Sequence, residues 1–258
     1  MNLNPEFRRN LWIQFGETRV LIAGLITGMI VLTAVALDVA LAGARNVVPN
    51  ITIYVSLWTA VVILLLWGGR QAAGAVLREI HGRTWDAQRL STMHPWSMAW
   101  GKLFGATSLA WTVGLACLIA YAVAALWFPS PEAYALNAVA MIGYAVFCQA
   151  TGLLASLARL SGRPGDRGGS TTVAQLVALL ATALLASYVV WALQDQASFF
   201  GFRIGEDALR LLTIWFFALW AVVGVYRRMR RELQMRNVPW AWLLFLVMLA
   251  LYAEGLAY

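Results

Sequence analysis

Apolar residues fall into seven long runs that are separated by polar connections. The runs cover Val20–Ala42, Ile51–Gly69, Leu103–Phe128, Ala133–Ala158, Thr172–Leu193, Ala208–Tyr226 and Trp240–Ala257. A helix needs ~20 apolar residues to cross the hydrocarbon core of a bilayer. The pattern therefore predicts an all-α, polytopic transmembrane bundle of six spans and a seventh, shorter one.

Composition excludes a water-soluble protein. Of the 258 residues, 61% are apolar and 12% are charged. A soluble domain of this length could not keep so much apolar surface out of water. The two cysteines, Cys117 and Cys148, lie inside apolar runs and are expected to be buried packing residues.

Basic residues are concentrated on one side of the predicted bundle. If the runs alternate in direction, sixteen of the nineteen Lys and Arg residues fall in the N-terminal stretch or in the second–third, fourth–fifth and sixth–seventh connections. Basic loops remain cytoplasmic. We therefore expect a protein of the inner (plasma) membrane with a cytoplasmic N-terminus. A seventh span would place the C-terminus outside. The net charge of +7 is then an orientation signal, and no nucleic-acid partner is expected.

Residues 1–18 have the pattern of an amphipathic helix lying at the membrane surface. Asn4 suits the N-cap and Pro5 the first helical position. Leu3, Phe7, Leu11 and Phe15 share one face, and Glu6, Arg9, Asn10, Gln14 and Glu17 lie elsewhere.

The connection between the second and third runs, residues 70–102, is too polar to span and too long for a simple hairpin. Gly82 can end an extension of the second span. Thr84 can cap a short helix with Asp86 in its first turn, and Pro95 can begin the next helix. The predicted order is a span, a short separate helix, then another span.

This connection resembles the first cytoplasmic loop of ABC-2 type permeases, the membrane-spanning subunits of ABC exporters. The resemblance rests on Arg-Glu at 78–79, Gly-x-Thr-Trp-Asp at 82–86, Leu-Ser-Thr-x-x-Pro-Trp at 90–96 and Gly-Lys-Leu-x-Gly at 101–105. In that family the short helix is the coupling helix, which docks in a groove of the ATPase subunit.

The resemblance implies a coupling helix at Thr84–Met93. The implied ATPase-docking residues are Glu79, Gly82, Arg83, Thr84, Trp85, Asp86, Gln88, Arg89, Met93 and Pro95. The implied partners are an ABC ATPase subunit, a second permease subunit (identical or related) and membrane lipid.

The domain organisation follows from these features. Residues 1–18 form the interfacial helix, residues 19–226 a six-span permease domain, and residues 227–258 a basic hinge and the seventh span. The usual family member has six spans. If Trp240–Tyr258 only lies in the interface, both termini are cytoplasmic; we favour a spanning helix because Asn237 and Pro239 mark a clear start.

Catalytic motifs are absent from the sequence. Without a GxxxxGK[ST] loop the chain is expected to bind no cofactor, so ATP and Mg²⁺ would belong to the partner ATPase. We expect a non-catalytic transport subunit with no metal site. The alternative is a membrane-embedded enzyme or assembly factor with a site at His81, Asp86 and His94 in the 70–102 connection.

Small residues four positions apart allow helices to approach closely. Gly24 and Gly28 form such a pair on the first span and are a hypothetical dimer seam; Gly101 and Gly105 form another at the mouth of the third.

Overall fold

A computed structural model of the chain describes residues 4–45, 50–90, 93–160, 170–194, 198–203 and 205–257. Six helices in these ranges are long and apolar enough to cross a membrane: Glu17–Leu41, Ile51–His81, Ser108–Ala125, Pro131–Arg159, Thr171–Trp191 and Glu206–Glu232. The predicted helical membrane bundle is therefore confirmed, and its six longest helices overlap the first six apolar runs.

The helices follow one another with few other elements. They are α1 (Pro5–Gln14), α2 (Glu17–Arg45), α3 (Ile51–Val61), α4 (Gly68–His81), α5 (Trp85–Arg89), α6 (Pro95–Trp100), α7 (Ser108–Ala125), α8 (Pro131–Leu160), α9 (Thr171–Gln194), α10 (Glu206–Glu232) and α11 (Trp240–Ala257). Two π-helical segments, π1 (Val62–Trp67) and π2 (Gly101–Gly105), join α3 to α4 and follow α6. Two antiparallel strands of two residues each, β1 (Ser198–Phe199) and β2 (Phe202–Arg203), form a small hairpin before α10.

The bundle is built around α8, which packs against α4, α7, α9 and α10. Its most apolar stretch is 56% buried within the chain, whereas that of α2 is only 6% buried. The largest apolar cluster joins the ends of α4, α8 and α10 to α5 and α6, and includes Trp85, Met98, Leu157 and Met229. We call this end of the bundle, where α1 and the 70–102 connection also lie, the basic end.

π1 widens the helix between α3 and α4. Its backbone carbonyl groups accept hydrogen bonds from side chains of neighbouring helices. Gln149 Nε2 donates to Leu64 O at 3.2 Å, and Gln175 Nε2 donates to Leu66 O at 3.0 Å. Cys148 Sγ lies 3.7 Å from Leu65 O. A π-helical turn disturbs the normal hydrogen-bond ladder, and these side chains supply the missing partners.

The first two long helices are joined at the end opposite the basic end. Asp38 of α2 is buried and accepts hydrogen bonds from the backbone N–H groups of Ile51 and Thr52 at 3.0 and 2.8 Å. It therefore supplies the cap that Asn50, the N-cap residue of α3, does not provide with its own side chain. Asp38 therefore has a structural role at this end of the bundle.

α11 runs antiparallel to α10 along the outside of the bundle. Near its start, Arg227 donates to Val238 O at 2.9 Å; near its end, Gly255 O accepts from Phe200 N at 2.8 Å. Between these points the hydroxyls of Thr213 and Tyr252 are 2.7 Å apart. The apolar stretch of α11 has 17 residues, one fewer than that of α7, the shortest of the six long helices.

Candidate functional site

The first part of the 70–102 connection continues α4, which ends at His81 in a Schellman motif. Thr84 N–H bonds to Glu79 O at 2.9 Å, and Arg83 N–H bonds to Ile80 O at 3.0 Å. As predicted, α4 ends before Gly82, but the left-handed residue is Arg83, with φ of 55°, and not the glycine. The motif turns the chain sharply into α5.

α5 is shorter than the helix predicted at Thr84–Met93, and the predicted extension to Met93 was wrong. It ends at Arg89, and His94 has an extended backbone with ψ of 137°, as the residue before a proline prefers. α6 begins at Pro95 as predicted. Thr84 precedes α5 but does not cap it with its side chain: its Oγ1 donates backward to Glu79 O at 3.3 Å.

α5 has an inner and an outer side. Trp85 is 6% exposed and belongs to the apolar cluster at the basic end, whereas Leu90, directly after the helix, is 86% exposed. Asp86 lies in the first turn and is exposed. The helix is therefore held through Trp85 and presents its opposite side outward.

Lys102 of π2 lies at the centre of a buried ionic cluster beneath α5. Its Nζ bonds to Glu79, to Glu6 Oε1 at 3.1 Å and to Gln88 Oε1 at 2.9 Å. Arg9 adds a second cation, 3.1 Å from Glu79 Oε1 and 3.5 Å from Glu6 Oε2. Two cations therefore balance two carboxylates in a site where Lys102 is 1% and Glu6 2% exposed.

This cluster ties four elements together. Glu6 belongs to α1, Glu79 to α4, Gln88 to α5 and Lys102 to π2, and Gln88 Nε2 also donates to Glu79 Oε1 at 2.8 Å. Lys102 Nζ additionally lies 5.3 Å from the centre of the Trp85 ring, within cation–π range. Buried charges require this degree of pairing, because each is costly to remove from water.

α1 docks on π2 through its polar residues. The Cβ that an alanine would carry at Gly101 would lie 2.7 Å from Glu6 Cγ, and at Gly105 it would lie 2.9 Å from Asn10 Cβ. Asn10 Nδ2 donates to Gly101 O at 3.2 Å. Another helix therefore packs closely against this glycine pair, as predicted, and that helix is α1.

The predicted helix at the N-terminus is present and capped as expected. Asn4 Oδ1 accepts from the N–H of Glu6 at 3.0 Å, while its Nδ2 donates to Ser97 O at 2.6 Å. Its polar side, however, faces the protein: Glu6 and Gln14 are buried, whereas Trp12 is 79% exposed. Such a helix is fixed to the bundle and turns aromatic residues outward.

The structure divides the predicted docking residues into two groups. Exposed residues are Gly82, Arg83, Thr84 and Asp86, and residues that face inward or are partly covered are Glu79, Trp85, Gln88, Met93 and Pro95. Arg89 belongs to the α5 backbone, but its side chain lies outside the described residues. The first group can contact a partner directly, and the second holds the connection in shape.

The histidines of the alternative site have local structural partners. His94 Nδ1 accepts from Trp96 N–H at 3.2 Å as the cap of α6, and His81 Nδ1 lies 2.7 Å from Leu77 O. Within the described residues, no group of three His, Cys, Asp or Glu side chains is placed to hold a metal ion.

Gly24 and Gly28 lie on a face of α2 that nothing in the described chain covers, since a Cβ at either position would meet no atom within 4 Å. The opposite face of α2 borders a cavity of about 550 Å³ shared with α3, π1 and α7. Within the described residues, this glycine pair therefore packs against no other helix.

Two features of the structure, one in the site and one in the middle of the bundle, were not predicted from the sequence. The ionic partner of Lys102 on α1 is 96 positions away, and no local pattern indicates such a pairing. Gln149 stands alone in an apolar run; an amide at such a position is itself the signal of a buried hydrogen-bonded role.

The fold and composition define a multi-pass helical membrane protein. Comparison with models of known protein families, with curated proteins and with solved structures finds no match to the chain. A more specific function must therefore be argued from the geometry of the basic end.

Proposed function

We propose that the chain is the membrane-spanning permease subunit of an ATP-driven ABC exporter. In this proposal the basic end lies in the cytoplasm, where a separate ATPase subunit carrying ATP and Mg²⁺ docks against α5. A second permease copy, identical or related, completes the translocation path. The chain itself is then a non-catalytic subunit of the inner (plasma) membrane.

The observation that carries the proposal is the two-sided mounting of α5. Its inner side is fixed by Trp85 and, through Gln88, by the Lys102 cluster, while Asp86 and Leu90 remain exposed. A partner that pushes on the outer side would move α1, α4 and π2 together, because the cluster joins them. This rigid coupling is what a force-receiving helix requires.

A row of aromatic rings offers a route from the basic end toward the middle of the bundle. Trp96 packs against Tyr226 at 5.5 Å and Trp100 at 5.8 Å; Phe104 follows at 4.3 Å from Trp100. Phe104 then lies 6.1 Å from Trp111. Contiguous packed side chains can carry a displacement between distant sites, and we expect this row to do so.

In this proposal the second permease copy packs against α2. Its apolar surface is almost entirely uncovered within the chain, and Gly24 and Gly28 would allow another helix to approach closely. A cysteine at Gly24 is expected to crosslink between copies in a background with Cys117 and Cys148 replaced by serine. Equal crosslinking from Leu180, an exposed position on α9, would contradict this seam.

The distribution of basic residues supports the proposed orientation. Arg227, Arg228, Arg230 and Arg231 at the end of α10 lie at the same end of the bundle as Arg9. The positive-inside rule places such an end in the cytoplasm.

The proposal is tested by purifying the tagged chain with its ATPase subunit from native membranes in mild detergent. Leu90→Asp alters the exposed side of α5, and Trp85→Ala removes its anchor. We expect a P-loop ATPase to co-purify with the wild type and to be lost with Leu90→Asp. With Trp85→Ala, ATP hydrolysis is expected to become independent of the permease. Leu126→Asp, also at an exposed leucine but beyond the far end of α7, is the matched control and should retain the ATPase.

Purification without any P-loop ATPase, with both α5 variants behaving like the wild type, would overturn the permease proposal. The enzyme or assembly-factor alternative would then be tested with His81→Ala, Asp86→Ala and His94→Ala. That alternative requires loss of activity through these side chains with no ATPase present.

A further inference from the structure

A cavity of about 500 Å³ opens between α8, α10 and α11, and its lining changes character along its length. Toward the middle of the bundle its walls are aromatic, with Phe217, Trp220 and Phe245. At the basic end Arg227, Arg228 and Arg231 line it, and the described lining residues include no carboxylate. One end of the cavity therefore favours a hydrocarbon chain and the other a negative charge.

The dimensions suit one chain of a membrane lipid. From Phe217 to Arg231, α10 advances by about 21 Å at ~1.5 Å per residue. The hydrocarbon of one leaflet is about 15 Å deep, half of a ~30 Å core. A chain anchored at the arginines would therefore lie along the aromatic walls within its own leaflet.

The arginines differ in their availability. Arg228 already donates to Leu157 O at 3.4 Å and Ala158 O at 3.3 Å, and it pairs with Glu232 at 3.8 Å. Arg227 is held at the cavity mouth by its bond to Val238 O. Arg231 has an exposed side chain one helical turn further on, on the same face of α10. Arg227 and Arg231 can therefore reach one headgroup from the same face of α10.

We infer that this cavity is a binding site for an anionic phospholipid, whose phosphate is held by Arg227 and Arg231 and whose acyl chain lies between α10 and α11. Guanidinium groups bind phosphate through paired N–H donors, and the aromatic walls accept the chain. The inference rests on the membrane fold alone and requires no ATPase. It makes α11 part of a lipid site, because Trp242 and Phe245 form one wall of the cavity.

The test is a lipid titration of the purified protein in mild detergent, with bound lipid counted by native mass spectrometry. Dioleoyl phosphatidylglycerol is compared with dioleoyl phosphatidylcholine, which has the same chains and no net charge. We expect phosphatidylglycerol to bind more tightly to the wild type. Because each basic residue near a membrane surface contributes about fivefold in affinity for anionic lipid, Arg227→Gln and Arg231→Gln should each weaken its binding by about that factor.

Three further variants distinguish binding at this site from a general effect of surface charge. Arg230→Gln removes the same charge from the same helix, but Arg230 stacks on Tyr226 at 5.9 Å and does not line the cavity, so affinity should be unchanged. Ala241→Trp fills the cavity with the arginines intact and should weaken binding of both lipids, whereas Ala241→Ser should not. Inorganic phosphate should not compete.

Equal affinity of the wild type for both lipids would overturn the inference. So would an Arg230→Gln effect as large as that of Arg231→Gln, unchanged binding in Ala241→Trp, or displacement of the lipid by inorganic phosphate.

Discussion

Gln149 of α8 joins two other helices at the middle of the bundle: it donates to Leu64 O of π1 at 3.2 Å and accepts from Trp111 Nε1 of α7 at 2.8 Å. Its side chain is fully buried. Gly68 leaves room for it, since a Cβ there would lie 2.6 Å from Gln149 Nε2. A single amide thus supports the π-helical turn and fixes three long helices relative to one another.

Replacing Gln149 by leucine is expected to lower the free energy of unfolding by about 1–2 kcal/mol, because a buried carbonyl and an indole N–H lose their partner. The measurement is thermal or denaturant unfolding in detergent. A double-mutant cycle with Trp111→Phe isolates the second bond. Purely additive effects of the two substitutions would show that this bond contributes no coupling.

Lys102→Met is expected to destabilise the protein by about 3–5 kcal/mol, the usual effect of leaving a buried charge without its partner. The added substitution Glu79→Gln should recover part of this loss by removing one uncompensated carboxylate. Unfolding in detergent measures both. Arg210→Gln is the control: its pair with Asp207 is partly exposed, with the carboxylate side chain 48% exposed, and should contribute less than about 1 kcal/mol. An equal loss in Lys102→Met and Arg210→Gln would contradict the assigned role of the cluster.

Gly105→Ala is expected to release α1 from π2, because the new methyl group would lie 2.9 Å from Asn10 Cβ and 3.3 Å from the backbone of Phe7. Faster amide hydrogen exchange in residues 5–14 would report the release. Gly24→Ala adds the same methyl group where no atom lies within 4 Å, and exchange in α1 should not change. Unchanged protection of α1 in Gly105→Ala would mean that the helix can shift to accept the group.

Arg83→Gly is expected to raise the free energy of unfolding by up to about 1 kcal/mol, since a left-handed backbone costs a non-glycine residue roughly that amount. Gln234, with φ of 60°, occupies the equivalent position of a second Schellman motif after α10, where Met235 N–H bonds to Arg230 O. Gln234→Gly should therefore have a similar effect. Gly82→Ala, at a position with φ of −77°, should bring no gain. A loss of stability in both glycine variants would indicate that the arginine and glutamine side chains outweigh the backbone strain.

Single cysteines test whether α11 crosses the membrane. If it does, Gln234→Cys and Glu254→Cys react with a membrane-impermeant maleimide from opposite sides of sealed vesicles, again with Cys117 and Cys148 replaced. The contact of Gly255 with Phe200, in the hairpin that precedes α10, favours this result. Reaction of both cysteines from the same side would instead place α11 in the interface.

The local features of the sequence predicted local structure well. Pro95 starts α6, Asn4 caps α1, and the apolar runs overlap the long helices, because each depends on residues within a few positions. The extension of α5 to Met93 was wrong: the helix ends at Arg89, and the restriction that Pro95 imposes keeps His94 out of a helical conformation.

Long-range polar contacts were beyond the same reasoning. The periodicity of α1 assigns Glu6 and Gln14 to a polar face. It cannot tell whether that face is exposed to water or hydrogen-bonded to a buried lysine or glutamine. Gln14 in fact bonds to Gln71 at 3.1 Å, 57 positions later in the chain. Only the packing of α1 on α4 and π2 determines which polar groups meet.

The docking of α1 also imposes an order on biosynthesis. Glu6 is made 96 residues before Lys102, so α1 leaves the ribosome long before its seat on π2 exists. Both carboxylates of the cluster, Glu6 and Glu79, precede the lysine that pairs with them. The basic end can close only after the first two long helices have been inserted and the third has begun. α1 therefore docks only after α2, α3 and α4 have been made, and a nascent chain that stops before Lys102 leaves α1 unanchored.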